Sequence, residues 1–185
     1  MLFGYQVDGV LAVGAPRWRT LVSRAPAGVL LSSARAFPPS HPTTRLCLRL
    51  MLQARRARRC RTLVDVGCGS GILALAGVKL GADRAVALDI SPQAVVATRR
   101  NAELNRVMDR VLLVRGSADA IAGRFDLVLA NLPLPVLTEI MVELARLSGD
   151  DASVIMSGFQ DVDRGEVEAA WRTSDSRAGC GSGRI

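Results

Sequence analysis

Three alternating glycines follow a short apolar run in the segment VDVGCGSGILAL, which begins at Val64. Gly67, Gly69 and Gly71 allow the backbone to turn sharply and to approach a ligand closely, because glycine has no Cβ atom. The apolar helix predicted directly after this loop offers unpaired N–H groups in its first turn. These features predict a ligand site at the end of a buried strand.

Two acidic residues accompany the glycines. Asp89 ends the next predicted strand, RAVALDI, and can accept hydrogen bonds from both hydroxyls of a ribose. The alternative for Asp89 is a helix cap beside Ser91. Asp65 lies two residues before the first glycine, where it can hold the loop or face an ammonium group.

The spacing of the glycines separates two classes of nucleoside ligand. The sequence has G-x-G-x-G, whereas a dinucleotide fingerprint has G-x-G-x-x-G. The carboxylate of Asp65 would repel a pyrophosphate but attract the ammonium group of S-adenosylmethionine. Both features favour S-adenosylmethionine over a dinucleotide.

Strands and helices alternate after Pro39. The predicted strands are RTLVDVG, RAVALDI, RVLLVRG, FDLVLANL and ASVIMSG. The predicted helices are HPTTRLCLRLMLQARRARR, GILALAGVKLG, SPQAVVATRRNAELN, PVLTEIMVELARLS and VDRGEVEAAW. This alternation predicts an α/β fold with a Rossmann-like, doubly wound, mostly parallel sheet and helices on both faces.

Four segments carry a family resemblance: HPTTRLCL from His41, LVDVGCGSGILALAGVKLGA from Leu63, ALDISPQAVVATRRNAELN from Ala87, and FDLVLANL from Phe125. They resemble the class I methyltransferases and, more narrowly, the ribosomal protein L11 methyltransferase family. The resemblance runs from about Phe37 to Phe159. It implies an enzyme that transfers a methyl group from S-adenosylmethionine to an amine nitrogen, of L11 or of another protein with a lysine substrate.

The resemblance also implies the donor-binding residues, which are Thr43, Asp65, Gly67, Gly69, Gly71, Asp89, Ile90, Ser117, Ala118 and Asn131. The glycines would line the methionine and ribose part of the donor, and the two acids would bind its amino group and its ribose hydroxyls. Ile90 would pack on the adenine, and residues 117–118 would contact its edge. Thr43 would belong to an entry helix that covers the donor.

Asn131 is the predicted catalytic residue. The segment NLPL resembles the N-P-P-[YF] tetrad of methyltransferases that act on nitrogen, in which the amide oxygen accepts from a substrate N–H. This contact orients the nitrogen lone pair toward the methyl group, so catalysis is mostly positioning. A protonated lysine must lose its proton before it attacks. The alternative is that Asn131 only ends a strand.

Charge is distributed unevenly along the 185 residues, which carry a formal charge of +7. Through Thr62 there are eleven arginines and one acidic residue, Asp8, and the rest has thirteen basic and sixteen acidic residues. The Arg-rich third can attract nucleic acid, an acidic protein or a membrane surface. Coding bias and solvated helix faces are the alternative explanations, and they need no anionic partner.

Two other functions stay open at this point. NLPL and the N-terminal arginines favour an RNA, DNA or small-molecule N-methyltransferase as one alternative. A truncated, donor-binding protein without activity is the other. The sequence does not set the oligomeric state.

Cysteine and histidine content bears on metals and on location. The cysteines form no CxxC pair and there is one histidine, so no metal site is predicted. No apolar run is long enough to span a bilayer, and no membrane partner is expected. A cytoplasmic location is predicted, with a mitochondrial one as the alternative if the Arg- and Ser-rich N-terminus is a transit peptide.

The chain is expected to divide into three parts. Residues 1–39 form an N-terminal extension with a short strand pair, 40–171 form the S-adenosylmethionine-binding domain, and 172–185 form a disordered or truncated tail. Class I methyltransferases have two strands after the fifth, and the sequence shows no signal for them. The fifth strand is therefore expected at an open edge, where its unpaired backbone groups would promote association.

Overall fold

The computed structural model describes residues 4–32 and 38–178, with side chains as far as Ser174. The strands are β1 (Gly4–Val7), β2 (Leu11–Gly14), β3 (Ala27–Leu30), β4 (Thr62–Val66), β5 (Arg84–Asp89), β6 (Val111–Arg115), β7 (Phe125–Asn131) and β8 (Ser148–Ser157). The helices are α1 (Arg19–Val22), α2 (Pro42–Ala57), α3 (Ile72–Lys79), α4 (Pro92–Leu104), α5 (Leu134–Glu139), α6 (Met141–Leu147) and α7 (Arg164–Ala178).

The larger sheet has five strands in the order β6-β5-β4-β7-β8, and all of its neighbours are parallel. Successive connections run outward from β4 in opposite directions, so the switch point lies between β4 and β7. Helices connect successive strands of this sheet, as parallel pairing requires, except between β6 and β7, where the chain has a single 3-10 turn at residues 118–120. The predicted α/β fold with a mostly parallel sheet is confirmed. Within the described residues, β8 is an edge strand of this sheet.

The C-terminal part differs from the sequence prediction in two places. Residues 135–148 were expected to form one helix, but α5 and α6 meet at Ile140. The Thr138 hydroxyl donates to two backbone carbonyls of α5, a bond type that competes with regular helix pairing. The last helix was expected to end at Trp171 and continues to Ala178, because no glycine or proline interrupts it before Gly179. Residues 179–185 of the predicted tail lie outside the described residues.

The N-terminal residues form a second, three-stranded sheet in the order β1-β2-β3. The first two strands are an antiparallel hairpin, and its turn places Asp8 and Gly9 at φ values of 49° and 68°. Between β2 and β3, which are parallel, the chain forms a 3-10 turn and α1. Part of the Arg- and Ser-rich N-terminus that was the candidate transit peptide, residues 16–30, therefore belongs to folded structure.

Helix α3 lies between the two sheets and joins them. Every residue of Ile72–Val78 is buried, so this helix has no polar face. Apolar residues of β1–β3, including Leu11 and Val29, share one core with Leu75 of α3 and Leu63 of β4. So few N-terminal residues cannot bury a core of their own, and they instead complete the core of the larger sheet.

Two asparagines at the C-terminal end of α4, Asn101 in its last turn and Asn105 directly after it, hold the edge of the small sheet. The Asn105 side chain accepts from the Leu30 N–H at 2.8 Å and donates to the Leu30 carbonyl at 2.6 Å. Asn101 accepts from the backbone and hydroxyl of Ser32 and donates to the Ser70 carbonyl at 2.8 Å. Both amides are buried, so they satisfy backbone groups that water does not reach.

No described helix has the length and apolar character needed to cross a bilayer.

Asn105→Ala should lower the free energy of unfolding by about 3 kcal/mol, because it leaves the buried N–H and carbonyl of Leu30 without partners. Glu103→Ala, at an exposed position of the same helix, is the matched control and should change it by less than about 0.5 kcal/mol. Urea titration followed by circular dichroism measures both. Equal, small effects would show that the asparagine does not stabilise the small sheet.

Candidate active site

The predicted site residues converge at the carboxyl ends of three adjacent strands. The glycine loop follows β4, Asp89 ends β5, and Asn131 ends β7. Parallel pairing brings these ends to one edge of the sheet, beside the first turn of α2. This edge is where ligands bind in open α/β sheets.

The glycine loop is built from left-handed backbone. Gly67, Gly69 and Gly71 have φ values of 75°, 55° and 78°, a region that side chains disfavour. A Cβ on Gly67 would lie 2.4 Å from a methyl carbon of Leu132, whereas a Cβ on Gly69 would have no neighbour within 4 Å. The backbone of Gly69 is therefore open to a ligand, and the flanking glycines permit the turn.

Asp89 ties the loop to the following strand end. Its Oδ2 accepts from the Gly69 N–H at 3.0 Å, and its Oδ1 accepts from the Ser91 N–H at 2.9 Å. The second bond is the cap-like contact that was the alternative to ribose binding. Each carboxylate oxygen has a second lone pair, so these bonds leave capacity for two hydroxyl donors. Ribose binding by Asp89 stays a prediction.

Asp65 is buried below the loop. Its Oδ2 accepts from the Ala74 N–H in the first turn of α3 at 3.1 Å, so it anchors the start of this helix. Its pKa is raised to about 7, chiefly by burial; the bond from Ala74 opposes this shift, and the charge of Asp89 adds to it. The loop-holding role is thus visible in the structure, and the contact with an amino group stays a prediction.

Asn131 carries an acceptor without a donor. Its Nδ2 donates to the Thr44 hydroxyl at 3.5 Å, and its Oδ1 is buried with no hydrogen-bond partner in the described part of the chain. An unsatisfied buried acceptor costs about 1–3 kcal/mol, so it indicates a place where a ligand donor belongs. The orphaned oxygen can accept a hydrogen bond from a ligand N–H, and catalysis by Asn131 stays a prediction.

Thr44 was not among the residues predicted from the sequence. Its neighbour Thr43 is instead engaged with His41, whose Nδ1 lies 2.9 Å from the Thr43 hydroxyl and accepts from its N–H at 3.4 Å. His41 therefore caps α2, and the helix turns the second threonine of HPTT toward β7. The pair of adjacent threonines was the available signal, but which of the two faces the site depends on the packing of the helix.

The remaining predicted residues surround the end of β5. Ile90 is 73% exposed, which is unusual for a large apolar side chain and suits packing against a flat ring. Ser117 is half-buried and Ala118 is buried in the turn after β6. The Gly116 N–H donates to the Asp89 carbonyl at 3.1 Å and fixes this turn beside β5.

Two thiols near the site are inert by their surroundings. Burial raises the pKa of Cys47 to about 12, and burial also raises the pKa of Cys68 in the glycine loop. A neutral, buried thiol is a poor nucleophile. Cys68 instead fills space beside Thr98, with its Sγ 3.4 Å from the threonine hydroxyl.

Comparison with known proteins gives a consistent result. A sequence profile of the family described as ribosomal protein L11 methyltransferase (PrmA) matches residues 16–175. The chain is 40% identical over 139 residues to the ribosomal protein L11 methyltransferase of Haemophilus influenzae (strain PittEE), which covers 73% of this chain and 46% of that protein. It is 42% identical over 138 residues to the ribosomal protein L11 methyltransferase of Dechloromonas aromatica (strain RCB), and this match covers 72% of this chain and 45% of that protein.

The chain thus spans about half the length of these curated relatives. Among solved structures, it superimposes on the ribosomal protein L11 methylase from Lactobacillus delbrueckii subsp. bulgaricus with a TM-score of 0.81 at 31% identity. That match covers 92% of this chain and 88% of the other. The likeness therefore extends over nearly the whole of both chains.

Asp65→Asn should change how stability depends on pH. The pKa of Asp65 is raised to about 7 in the folded state, so the native protein retains a proton that the unfolded chain loses above its ordinary pKa. This group stabilises the fold at low pH, and its contribution is lost as pH rises from about 4 through about 7. The stability of the variant relative to wild type should therefore increase over this range, by a few kcal/mol.

Chemical denaturation at a series of pH values measures this difference. Asp109→Asn, at an exposed position in the turn before β6, is the control and should leave the pH dependence of wild type unchanged. A pH-independent difference between Asp65→Asn and wild type would show that burial does not perturb this carboxyl group.

Proposed function

Because this chain belongs to the ribosomal protein L11 methyltransferase family, we propose that it transfers a methyl group from S-adenosylmethionine to an amine nitrogen of a protein. The orphaned Oδ1 of Asn131 is the observation that carries this proposal. It is a buried acceptor at the carboxyl end of β7, beside a glycine loop that is open to a ligand at Gly69. An amine that accepts the methyl group would supply the N–H that this oxygen lacks.

The loop and the end of β5 suit the methyl donor. S-adenosylmethionine supplies an electrophilic methyl group on a sulfonium centre. The backbone of Gly69 would approach its methionine and ribose part, Asp89 would accept from the ribose hydroxyls, and Ile90 would cover the adenine face. Ser117 and Ala118 would border the adenine edge. Asp65 would act on the amino group through the loop that it anchors.

Asn131 would align the nucleophile. Its Oδ1 would accept an N–H of the neutral amine, which points the nitrogen lone pair at the methyl carbon. The N–C bond forms as the S–C bond breaks, and the methylated amine then releases a proton. A sulfonium leaves readily, so positioning supplies most of the rate enhancement. Thr44, which accepts from Nδ2, would fix the amide so that Oδ1 faces the acceptor.

The acceptor class rests on the relatives. Proteins that resemble this chain over about half of their length are named ribosomal protein L11 methyltransferases, which favours a lysine or other amine of L11 as the acceptor. The NLPL segment keeps a nucleic-acid base nitrogen as the second candidate. Radiolabelled methyl transfer into purified L11 and into total RNA separates them, and label in RNA alone would overturn the protein substrate. The cytoplasmic location stays a prediction.

Asp89→Ala should weaken S-adenosylmethionine binding about 10- to 100-fold, because two charge-assisted hydrogen bonds to the ribose are lost. Isothermal titration calorimetry measures this, with NAD as a ligand that should not bind. The same change also removes the bond to Gly69, so Asp89→Asn is needed as a variant that keeps one acceptor oxygen and should weaken binding less. Unchanged affinity in the alanine variant, or tight NAD binding, would refute the donor assignment.

Asn131→Ala should lower kcat about 100-fold and leave the dissociation constant of the donor nearly unchanged, because its proposed partner is the substrate nitrogen in the transition state. Asn131→Asp keeps an acceptor oxygen and should retain part of the activity. Steady-state methyl transfer and donor calorimetry give the two quantities. Equal losses of binding and turnover would make Asn131 a donor-binding residue and not a catalytic one.

A further inference from the structure

Cationic side chains line two grooves at the end of the sheet opposite the candidate active site. The first groove, of about 470 Å³, has Arg19, Lys79 and Arg106 among its lining residues. The second, of about 410 Å³, is bordered by the last turn of α2 with Arg55 and Arg56. Because helices α2, α3 and α4 run antiparallel to the strands, their C-terminal ends lie at the amino ends of the strands.

The two grooves adjoin one another. Lys79 lines the first groove, and the next residues, Leu80 and Gly81, line the second. The side chain of Arg55 extends over Gly81, with its Nη2 3.6 Å from the position that a Cβ would take there. We call the surface formed by Arg19, Lys79, Arg106, Arg55 and Arg56 the basic belt.

The charges of the basic belt are not neutralised by neighbours. No acidic residue lines either groove, and within residues 4–32 and 38–174 none of the five cations forms an ion pair. Arg58 and Arg59, which also line the second groove, do pair, at 3.5 Å and 4.0 Å, with Asp151 and Asp83 on the exposed surface, so they are not counted in the belt. The belt therefore keeps five positive charges available for an external anion.

Arg106 occupies a backbone conformation that favours glycine. It follows α4 with φ of 56°, and the Val107 and Arg106 N–H groups donate to Ala102 and Glu103 carbonyls in the pattern of a helix end that usually has glycine at this position. A left-handed φ value of this kind is strained for arginine, because its Cβ atom crowds the backbone. In this conformation the Arg106 side chain lines the first groove. Residues with strained backbone are concentrated at ligand sites.

The shape of the belt selects among polyanions. Its sites are concave, which suits a narrow strand better than a flat lipid surface. The wall of the first groove includes Val22, Pro26 and Leu104, an apolar surface on which a base can rest. Guanidinium groups form bidentate hydrogen bonds with phosphate oxygens, which a lysine ammonium group cannot do. Exposed bases and phosphates together are the features of a single nucleic-acid strand, and RNA is the form that is commonly single-stranded.

We propose that the basic belt binds the sugar–phosphate backbone of single-stranded RNA. Binding there is independent of methyl transfer, since the belt and the candidate active site lie at opposite ends of the sheet. The affinity follows from counterion release and falls steeply with salt.

Three double variants with equal loss of charge test the proposal in the full-length chain. Lys79→Gln with Arg106→Gln removes two positive charges from the first groove. Arg55→Gln with Arg56→Gln removes two positive charges from the second groove. Arg115→Gln with Arg172→Gln removes two exposed cations outside both grooves. Fluorescence anisotropy with a labelled single-stranded RNA of about 12 nucleotides reports binding at about 50 mM and about 200 mM salt.

Each groove variant should weaken RNA binding about 10- to 60-fold at the lower salt and reduce the slope of log affinity against log salt by about 1.4. The control should leave both quantities close to wild type. Equal weakening by all three variants would show that only net charge matters and would overturn the proposal. Failure of wild type to bind RNA, or equally tight binding of duplex DNA or of anionic vesicles, would overturn it as well.

Arg106→Gly separates a loss of binding from a loss of folding. Glycine relieves the strain at φ of 56°, so the midpoint of thermal unfolding should rise while RNA binding weakens. A variant that is more stable and binds RNA as tightly as wild type would exclude Arg106 from the belt.

Discussion

The burial of α3 on every side is the constraint on which the rest of the structure depends. Its residues from Ile72 to Val78 are all apolar in character or glycine, and a single sheet can cover only one face of a helix. The N-terminal sheet covers the other face, so β1–β3 complete the core through residues such as Val29. Because α3 begins at the glycine loop, the packing that buries it also fixes the position of the loop.

Two hydrogen bonds hold the start of the buried helix and the glycine loop of the candidate active site in place. Asp65 anchors the first turn of α3 from below, and Asp89 holds the loop from the neighbouring strand. Two carboxylates thus satisfy backbone donors at the start of a helix whose N-terminus is positive. Burial of the Asp65 carboxylate disfavours its charged form, so its pKa is raised. On the other side of β4, the Asn131 amide is oriented by Thr44, so the same edge of the sheet presents donors and acceptors that are set before a ligand arrives.

The parallel sheet also separates two kinds of surface. Helix N-termini, glycine turns and strand ends meet at one edge, and helix C-termini meet at the other. Lys79 and Arg55 lie in the last turns of their helices, where a cation interacts favourably with the negative end of the helix dipole. Part of the chain's positive charge therefore lies where the helix dipoles are negative, which favours the unpaired cations of the basic belt.

The sequence alone determined the α/β fold, the order of the elements and the family, because alternating periodicity, a glycine loop and caps such as Ser91–Pro92 are local signals. It also placed Asp89 and Asn131 at strand ends. Tertiary structure decided which threonine of HPTT faces Asn131, since this depends on the rotation of α2 about its axis. It also decided that the N-terminal residues complete a shared core, that Ile140 divides a helix, and that Arg19 and Arg106 share a groove. These are contacts between segments far apart in the chain, and no local pattern encodes them.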